Sequence, residues 1–426
     1  MMARWRWLAV RVTKRLWFRA TLFSLLGVAT ALIAVVLKDF IPASLPARIG
    51  ADAVDKILGI IASSMLAVTT FSLSTMVAAY GAASTGVTPR ATTLVMEDTT
   101  THNALATFIG SFLFSLVGLI ALSTGAYGDQ GRVLLFAVTI AVVILIVYTL
   151  LRWIDHLSRL GRVGETIDRV ELAAIEAIEH RAKWPYLGGA AYPEGMVFPP
   201  FALRLVSRRT GYVQHIDVEA LAAITHRHPV QIYMDVLPGS FVHPGAPLAT
   251  VVAQPGQDVR SVAAFEHDVH AAITVGTRRT FEHDPRFGVS VLSEIASRAL
   301  SPAVNDPGTA IDVIGRGVRC LSHWGRPHAL TPSHEACAHI YLHGIVVDDL
   351  FDDFFGPIAR DGAALQEVNI RLLKALLSLA QINPQLFEGS ARRHAERLLK
   401  LAHAALVLEM DKEQLVKMAE PLRNDC

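Results

Sequence analysis

Histidines and aspartates crowd one stretch of the chain: His323, His328, His334, His339 and His343 precede Asp348, Asp349, Asp352 and Asp353. These side-chain types hold zinc and other divalent cations. Their spacing is poor for a shared ion. His334-Glu-Ala-Cys-Ala-His339 sets its two imidazoles five residues apart, whereas an HExxH helix brings both onto one face a single turn apart. His339 to Val347 also reads as a β-branched strand rather than a helix. The segment is read as a solvated polar face, and neither a metal nor another cofactor is expected.

A second group is hydroxylic. Ser63, Ser64, Thr69, Thr70, Ser72, Ser74 and Thr75 fall inside one long apolar run. Ser and Thr on a helix in hydrocarbon bond back to their own carbonyls, and small residues let a neighbouring helix approach. The alternative is that they stand in for water along a hydrated path. On that alternative, Ser63, Thr70 and Ser74 line it. No P-loop, GxGxxG or GxSxG is present, and no serine or histidine has an identifiable catalytic partner, so an enzyme is not expected.

The elements that carry these residues follow from composition. Hydrophobic residues make up 52% of the 426 and mean hydropathy is +0.39, more than a soluble chain usually carries. Net charge is +1, which gives no reason to expect a nucleic-acid partner. Cys320, Cys337 and Cys426 form no CxxC and no even framework, so neither a disulfide scaffold nor a thiolate zinc site is suggested.

A bilayer core of about 30 Å needs roughly 20 apolar helical residues. Leu16 to Leu37, Ile57 to Ala82, Ala104 to Thr124 and Val133 to Trp153 meet that length. Arg4, Arg6, Arg11, Lys14, Arg15 and Arg19 lead into the first, and Arg152, Arg159, Arg162 and Arg169 follow the fourth. The positive-inside rule then predicts a multi-pass membrane protein with both termini cytoplasmic. Trp5, Trp7, Trp17 and Trp153 lie at the expected interfaces. A cleaved signal peptide is the rival reading of the N-terminus, and the three spans that follow count against it. Ionised side chains are absent from the span centres, which argues against a proton-relay pump. The loop Ala83 to Asn103 reads as a mouth or a plain connection.

Beyond the spans, Glu165 to Lys183 has the spacing of an amphipathic helix. Strands are expected over Ala202 to Ser207, Gly211 to Ile216, Gln231 to Val236 and Pro247 to Val252, with Asp217 capping a short helix to Thr225. Pro-Gly turns at Gly239 and Gly245 call for positive φ. This segment is similar to the compact β-sandwich of biotinyl and lipoyl domains but lacks their hairpin lysine, so it implies packing or partner contact rather than a swinging arm. Gln366 to Ala380 and Ser390 to Ala419 read as helices. The predicted fold is a four-helix transmembrane domain (1–155), a connecting amphipathic helix (156–185), a small β-sandwich or barrel module (186–260) and a mostly helical cytoplasmic domain (261–426).

The most distinctive residues are Arg278-Arg-Thr280, Asp284-Pro-Arg-Phe-Gly288 and Ile295-Ala-Ser-Arg-Ala-Leu-Ser-Pro-Ala-Val-Asn-Asp-Pro-Gly-Thr-Ala310. With Gly211-Tyr-Val-Gln-His-Ile-Asp217 and Arg371-Leu-Leu373 they resemble the domain-of-unknown-function 2254 family of predicted bacterial membrane proteins. The resemblance covers nearly the whole chain, less well over His343 to Gly362. It implies architecture and a place in the bacterial inner membrane, and brings no activity or catalytic set with it.

Physical chemistry reads the last motif locally. Asp306 before Pro307 is a helix start, and Ser301-Pro302 halts the helix Gly288 to Leu300. A tight corner results, which leaves Arg298, Ser301, Pro302, Asn305, Asp306 and Pro307 as either a structural joint or a polar contact with a neighbouring subunit or ligand. Three functional classes remain: an oligomeric channel or transport protein for an ion or small solute, a membrane-anchored sensor or scaffold, and a membrane-bound metal-dependent enzyme. Expected partners are membrane lipid and further copies of the chain.

Overall fold

The computed structural model describes residues 16–36, 51–125, 128–253, 266–326 and 337–423. The chain divides into an N-terminal unit, Leu8–Thr166, and a C-terminal unit that includes Ile167–Cys426.

The N-terminal unit is helical: α1 (Leu16–Val36), α2 (Ala51–Gly86), α3 (Pro89–Met96), α4 (Thr99–Ser123) and α5 (Gly128–Leu157). Ala53–Ser84, Thr99–Ser123 and Gly131–Leu157 are long and apolar enough to cross a membrane. The expected first span differs. Its apolar stretch, Trp17–Thr30, is shorter than a bilayer core requires, and Leu37 lies outside the described residues. So do Trp5, Trp7 and every basic residue expected before Arg19.

Helix α4 is central. Its Ala104 and Phe108 pack with Ile61 and Met65 of α2 and with Ile146 and Trp153 of α5. Against α1 the approach is closer still. A Cβ placed on Gly27 would fall 2.6 Å from the Gly110 carbonyl oxygen, and one on Gly110 would fall 2.9 Å from that of Phe23. Small residues permit such backbone contact between helices in a bilayer. Arg19 Nη1 donates to Asn103 Oδ1 at 2.6 Å, so α1 and α4 begin at the same level and run parallel. The expected loop Ala83 to Asn103 is in fact ordered. It contains α3, capped by Thr88, and then the first turns of α4, capped by Asp98.

In the C-terminal unit, α6 (Val163–Lys183) leads into β1 (Ala190–Ala191), β2 (Leu203–Val206), β3 (Gly211–Ile216), α7 (Val218–Arg227), β4 (Val230–Met234), β5 (Phe241–Val242) and β6 (Pro247–Ala253). There follow α8 (Glu266–Ala272), β7 (Ile273–Gly276), α9 (Pro285–Ala299), α10 (Pro307–Trp324), β8 (Ile340–Leu342), α11 (Val347–Asp361), α12 (Gln366–Ile382), α13 (Pro384–Ala405) and α14 (Glu409–Arg423). The strands form a five-stranded sheet ordered β1-β8-β4-β6-β2 and a three-stranded sheet ordered β5-β3-β7.

Two strands of these sheets lie beyond the 186–260 expected for the β-module. β7 completes one sheet, and β8 enters the other between β1 and β4, parallel to both. Parallel pairing needs a long crossover, so no local pattern announces it. The Pro-Gly turns do take the expected geometry, with φ of +99° at Gly239 and +90° at Gly245. Asp217 caps α7 through Ala220 N at 2.9 Å. The single helix expected over Ser390 to Ala419 is broken, because Leu406 turns to an extended ψ of 138° after α13. One apolar core, including Leu205, Val213, Ile232, Val251 and Ile340, joins both sheets.

Candidate functional site

Ser63, Thr70 and Ser74 all lie on the exposed side of α2. Two of these hydroxyls bond to their own helix: Ser63 Oγ donates to Gly59 O at 3.0 Å and Thr70 Oγ1 to Ala67 O at 2.9 Å. Ser64, Thr69 and Thr75 do the same. Ser72 faces inward instead, fully buried, and accepts from Trp153 Nε1 at 2.9 Å. The five hydroxyls that bond to their own helix are thereby made compatible with hydrocarbon, since each of their protons finds a carbonyl without water.

Sequence reasoning missed a polar centre in the same unit. Asp98 at the start of α4 meets His156 Nε2 at 2.6 Å while accepting from Thr101 N at 3.0 Å and from the Thr101 hydroxyl. Trp153 lies alongside the His156 ring, centroid to centroid 5.8 Å. The available signal was Asp98 ahead of a threonine run, a strong N-cap pattern. Its partner, 58 residues further on, has no local signature.

At the corner between α9 and α10 the side chains bond to the local backbone. Ser301 Oγ donates to the Arg298 carbonyl at 2.7 Å, Asn305 takes a φ of +49°, and Pro302 and Val304 are exposed. Asp306 accepts from Thr309 N at 3.0 Å and from its hydroxyl at 2.5 Å, with Pro307 as the first helical residue. Those bonds hold the Asp306 carboxyl below the usual carboxylate range. Asp306→Ala is expected to lower the stability of the C-terminal unit by roughly 1 kcal/mol, the usual worth of a cap. Chemical denaturation at neutral pH checks this, and Asp306→Asn should keep most of the cap.

The histidine and aspartate stretch holds ion pairs. Asp349 and Asp353 receive Arg286 at 2.6 and 2.7 Å, Asp348 receives Arg393, and Asp352 faces His394 at 3.3 Å. His323 Nδ1 lies 2.6 Å from Glu179, and His343 stacks on Tyr192 at 3.9 Å. His328 and His334 lie outside the described residues. Among the described residues no group of three or more His, Cys, Asp or Glu is arranged to hold a metal ion. Cys320 is buried, and burial pushes its thiol up to about 12.

The distinctive motifs converge elsewhere, on a buried cluster in the C-terminal unit. Strand β3 supplies Gln214, whose amide donates to Arg278 O at 2.6 Å, and His215, whose ring stands 4.9 Å from that of His283. The last turn of α6 supplies His180, 5.7 Å from the His283 ring, and Arg181, whose Nη2 donates to the His283 carbonyl at 3.1 Å. Arg279 grips both oxygens of Asp284 at 2.7 and 3.0 Å and lies 5.0 Å over the Phe287 ring. Asp284 also caps α9 by accepting from Phe287 N at 3.1 Å. Gly239 is required against it, because a Cβ there would fall 2.3 Å from the Asp284 carboxylate.

Electrostatics at this cluster are set by burial. Desolvation, with the neighbouring His215, His180 and Arg181, drives the His283 imidazole down to about 3. Burial and then Arg181 lower His180 as well. Arg181 is lowered by burial to about 10, partly offset by Asp284, so it stays charged at neutral pH. The sequence picked out Arg278 to Thr280, Asp284 to Gly288 and Gly211 to Asp217 as distinctive, but not that His283, His180 and Arg181 join them.

A sequence profile described as "Predicted membrane protein (DUF2254)" matches residues 13–378. An uncharacterized protein of Mycobacterium bovis and two of Mycobacterium tuberculosis are each 26% identical over 277 residues, covering 61% of this chain and 50% of theirs. The chain thus spans about half the length of the curated relatives it matches. No solved structure matches it significantly.

Proposed function

Because the chain belongs to the DUF2254 family of predicted membrane proteins, we propose that it is a homo-oligomer of the bacterial inner membrane whose α2 helices meet one another. Between them they line a path for an ion or small solute. The observation that carries this reading is the outward stripe of α2. Ser63, Thr70 and Ser74 share the exposed side, and at Gly59 and Gly81 an added Cβ would meet nothing within 4 Å. Large apolar side chains suit lipid, whereas small hydroxylic ones suit a second helix or a narrow wet gap. A closed ring of identical helices satisfies both at once.

In this reading α1 is the fourth crossing helix. It packs backbone to backbone with α4 at Gly27 and Gly110, and α4 is itself long enough to cross. Four crossings leave both termini on one side, and the positive-inside rule makes that side cytoplasmic, given Arg19 in the first turn of the first and Arg152, Arg159 and Arg162 at the end of the fourth. Cysteine labelling of intact cells is expected to mark position 129 and spare position 200. The reverse pattern rejects this topology.

Conduction is tested by reconstitution into planar bilayers, where Thr70→Leu and Ser74→Leu are each expected to cut single-channel conductance several-fold. A second reading, a membrane-anchored sensor or scaffold, is favoured by α2 hydroxyls that need no water and by the cluster around Arg181. An intact oligomer that passes no current under voltage or tension selects that second reading.

A further inference from the structure

Among the described residues, the guanidinium of Arg181 is the buried charge whose surroundings are least complete. The residue is 1% exposed. Its Nη2 donates to the His283 carbonyl, while Nε and Nη1 are buried and meet no acceptor. Buried ions are ordinarily paired, and buried N–H groups are ordinarily hydrogen-bonded, because solvation lost on burial must be replaced. The carboxylate that acts on Arg181 is Asp284, and it is committed elsewhere: Arg279 holds both of its oxygens and Phe287 N donates to it. The cluster therefore sets two guanidinium charges, Arg181 and Arg279, against one carboxylate.

The imidazoles do not supply the missing charge. Burial keeps His283 and His180 neutral, and a neutral imidazole offers an N–H without adding to the net charge. His283 Nε2 is a third buried polar atom here without a partner. The excess is one positive charge, which calls for a monovalent anion. Rings standing 4.9 and 5.7 Å from that of His283 call for a small one.

We propose that the cluster of Arg181, His283, His180 and His215 is a binding site for one small monovalent anion, of the halide or carboxylate kind. The unengaged N–H groups of Arg181 and His283 Nε2 hold it. The assignment concerns the C-terminal unit alone and stands whether or not α2 lines a path.

Full-length protein in detergent, with sodium gluconate holding ionic strength constant, is titrated with sodium chloride. Binding is read by equilibrium dialysis of radioactive chloride and by melting temperature. The expected result is saturable uptake of one chloride per chain, displaced by acetate, with a melting temperature that rises with chloride concentration. Arg181→Met, which keeps the bulk and removes the charge, is expected to weaken chloride binding at least tenfold and to abolish that rise. Arg319→Met, which removes an exposed guanidinium paired with Glu171, is expected to change neither. Should Arg181→Met fail to fold, His283→Phe keeps the ring and is expected to weaken binding several-fold. Absence of saturable chloride or acetate binding by the wild-type protein, which would leave water on Arg181, overturns the proposal. Binding that survives both cluster substitutions unchanged does so too.

Discussion

Replacing Asp284 with alanine is expected to destabilise the C-terminal unit by roughly 3–5 kcal/mol, the range seen when one partner of a buried ion pair is removed. Three losses coincide at this carboxylate. Arg279 forfeits its two-pronged partner, α9 forfeits its cap at Phe287 N, and the nearby Arg181 forfeits the negative charge that offsets its burial. Asp284→Asn separates them, since an amide oxygen can still cap but brings no charge. Its cost is expected to fall between those of the wild type and the alanine variant. Melting of the full-length protein in detergent, followed by circular dichroism, is the measurement, with the exposed Asp268→Ala as a control. A change for Asp284→Ala no larger than the control's would show that the cluster does not hold this unit together.

Acidification is expected to weaken the same unit through His283. Burial lowers this imidazole from its ordinary 6.5 to about 3, so the unfolded chain binds a proton that the folded one excludes. Folded stability is then at its full value above about pH 6.5 and is lost progressively as pH falls toward 3. The slope is about 1.4 kcal/mol per pH unit, and the whole range amounts to about 5 kcal/mol. His180, lowered in the same sense, adds to the early part of the fall. Melting temperatures recorded between pH 7.5 and pH 4.5 test this. His283→Phe, which cannot take a proton, is expected to flatten the profile. An equally steep profile in that variant would assign the acid sensitivity to other groups.

What the sequence disclosed and what it hid divide along the range of the interactions. Apolar length alone located α2, α4 and α5, because a bilayer imposes its thickness on each helix separately. Caps at Asp217 and Asp306 and the turns at Gly239 and Gly245 were legible for a similar reason: each depends on residues a few positions away. β8 was not legible as a central strand, since its partners β1 and β4 lie far back in the chain. The candidate site was half legible. Arg279 and Asp284 sit in neighbouring motifs five residues apart, but Arg181 reaches the His283 carbonyl across 102 residues. Asp98 and His156 were hidden in the same way. The hydroxyls of α2 were noticed from composition, while the direction they face depended on where α4 packs.

The central claim is that copies of this chain meet through the outward side of α2, and disulfide capture in native membranes tests it most directly. Ser74 is replaced by cysteine in a Cys426→Ser background, with Cys320 and Cys337 left in place because both are buried. The account predicts that mild oxidation yields a covalent dimer at position 74. It also predicts none for cysteine at Ile144, which is 65% exposed on α5. Efficient capture at position 144 with none at position 74 would contradict it.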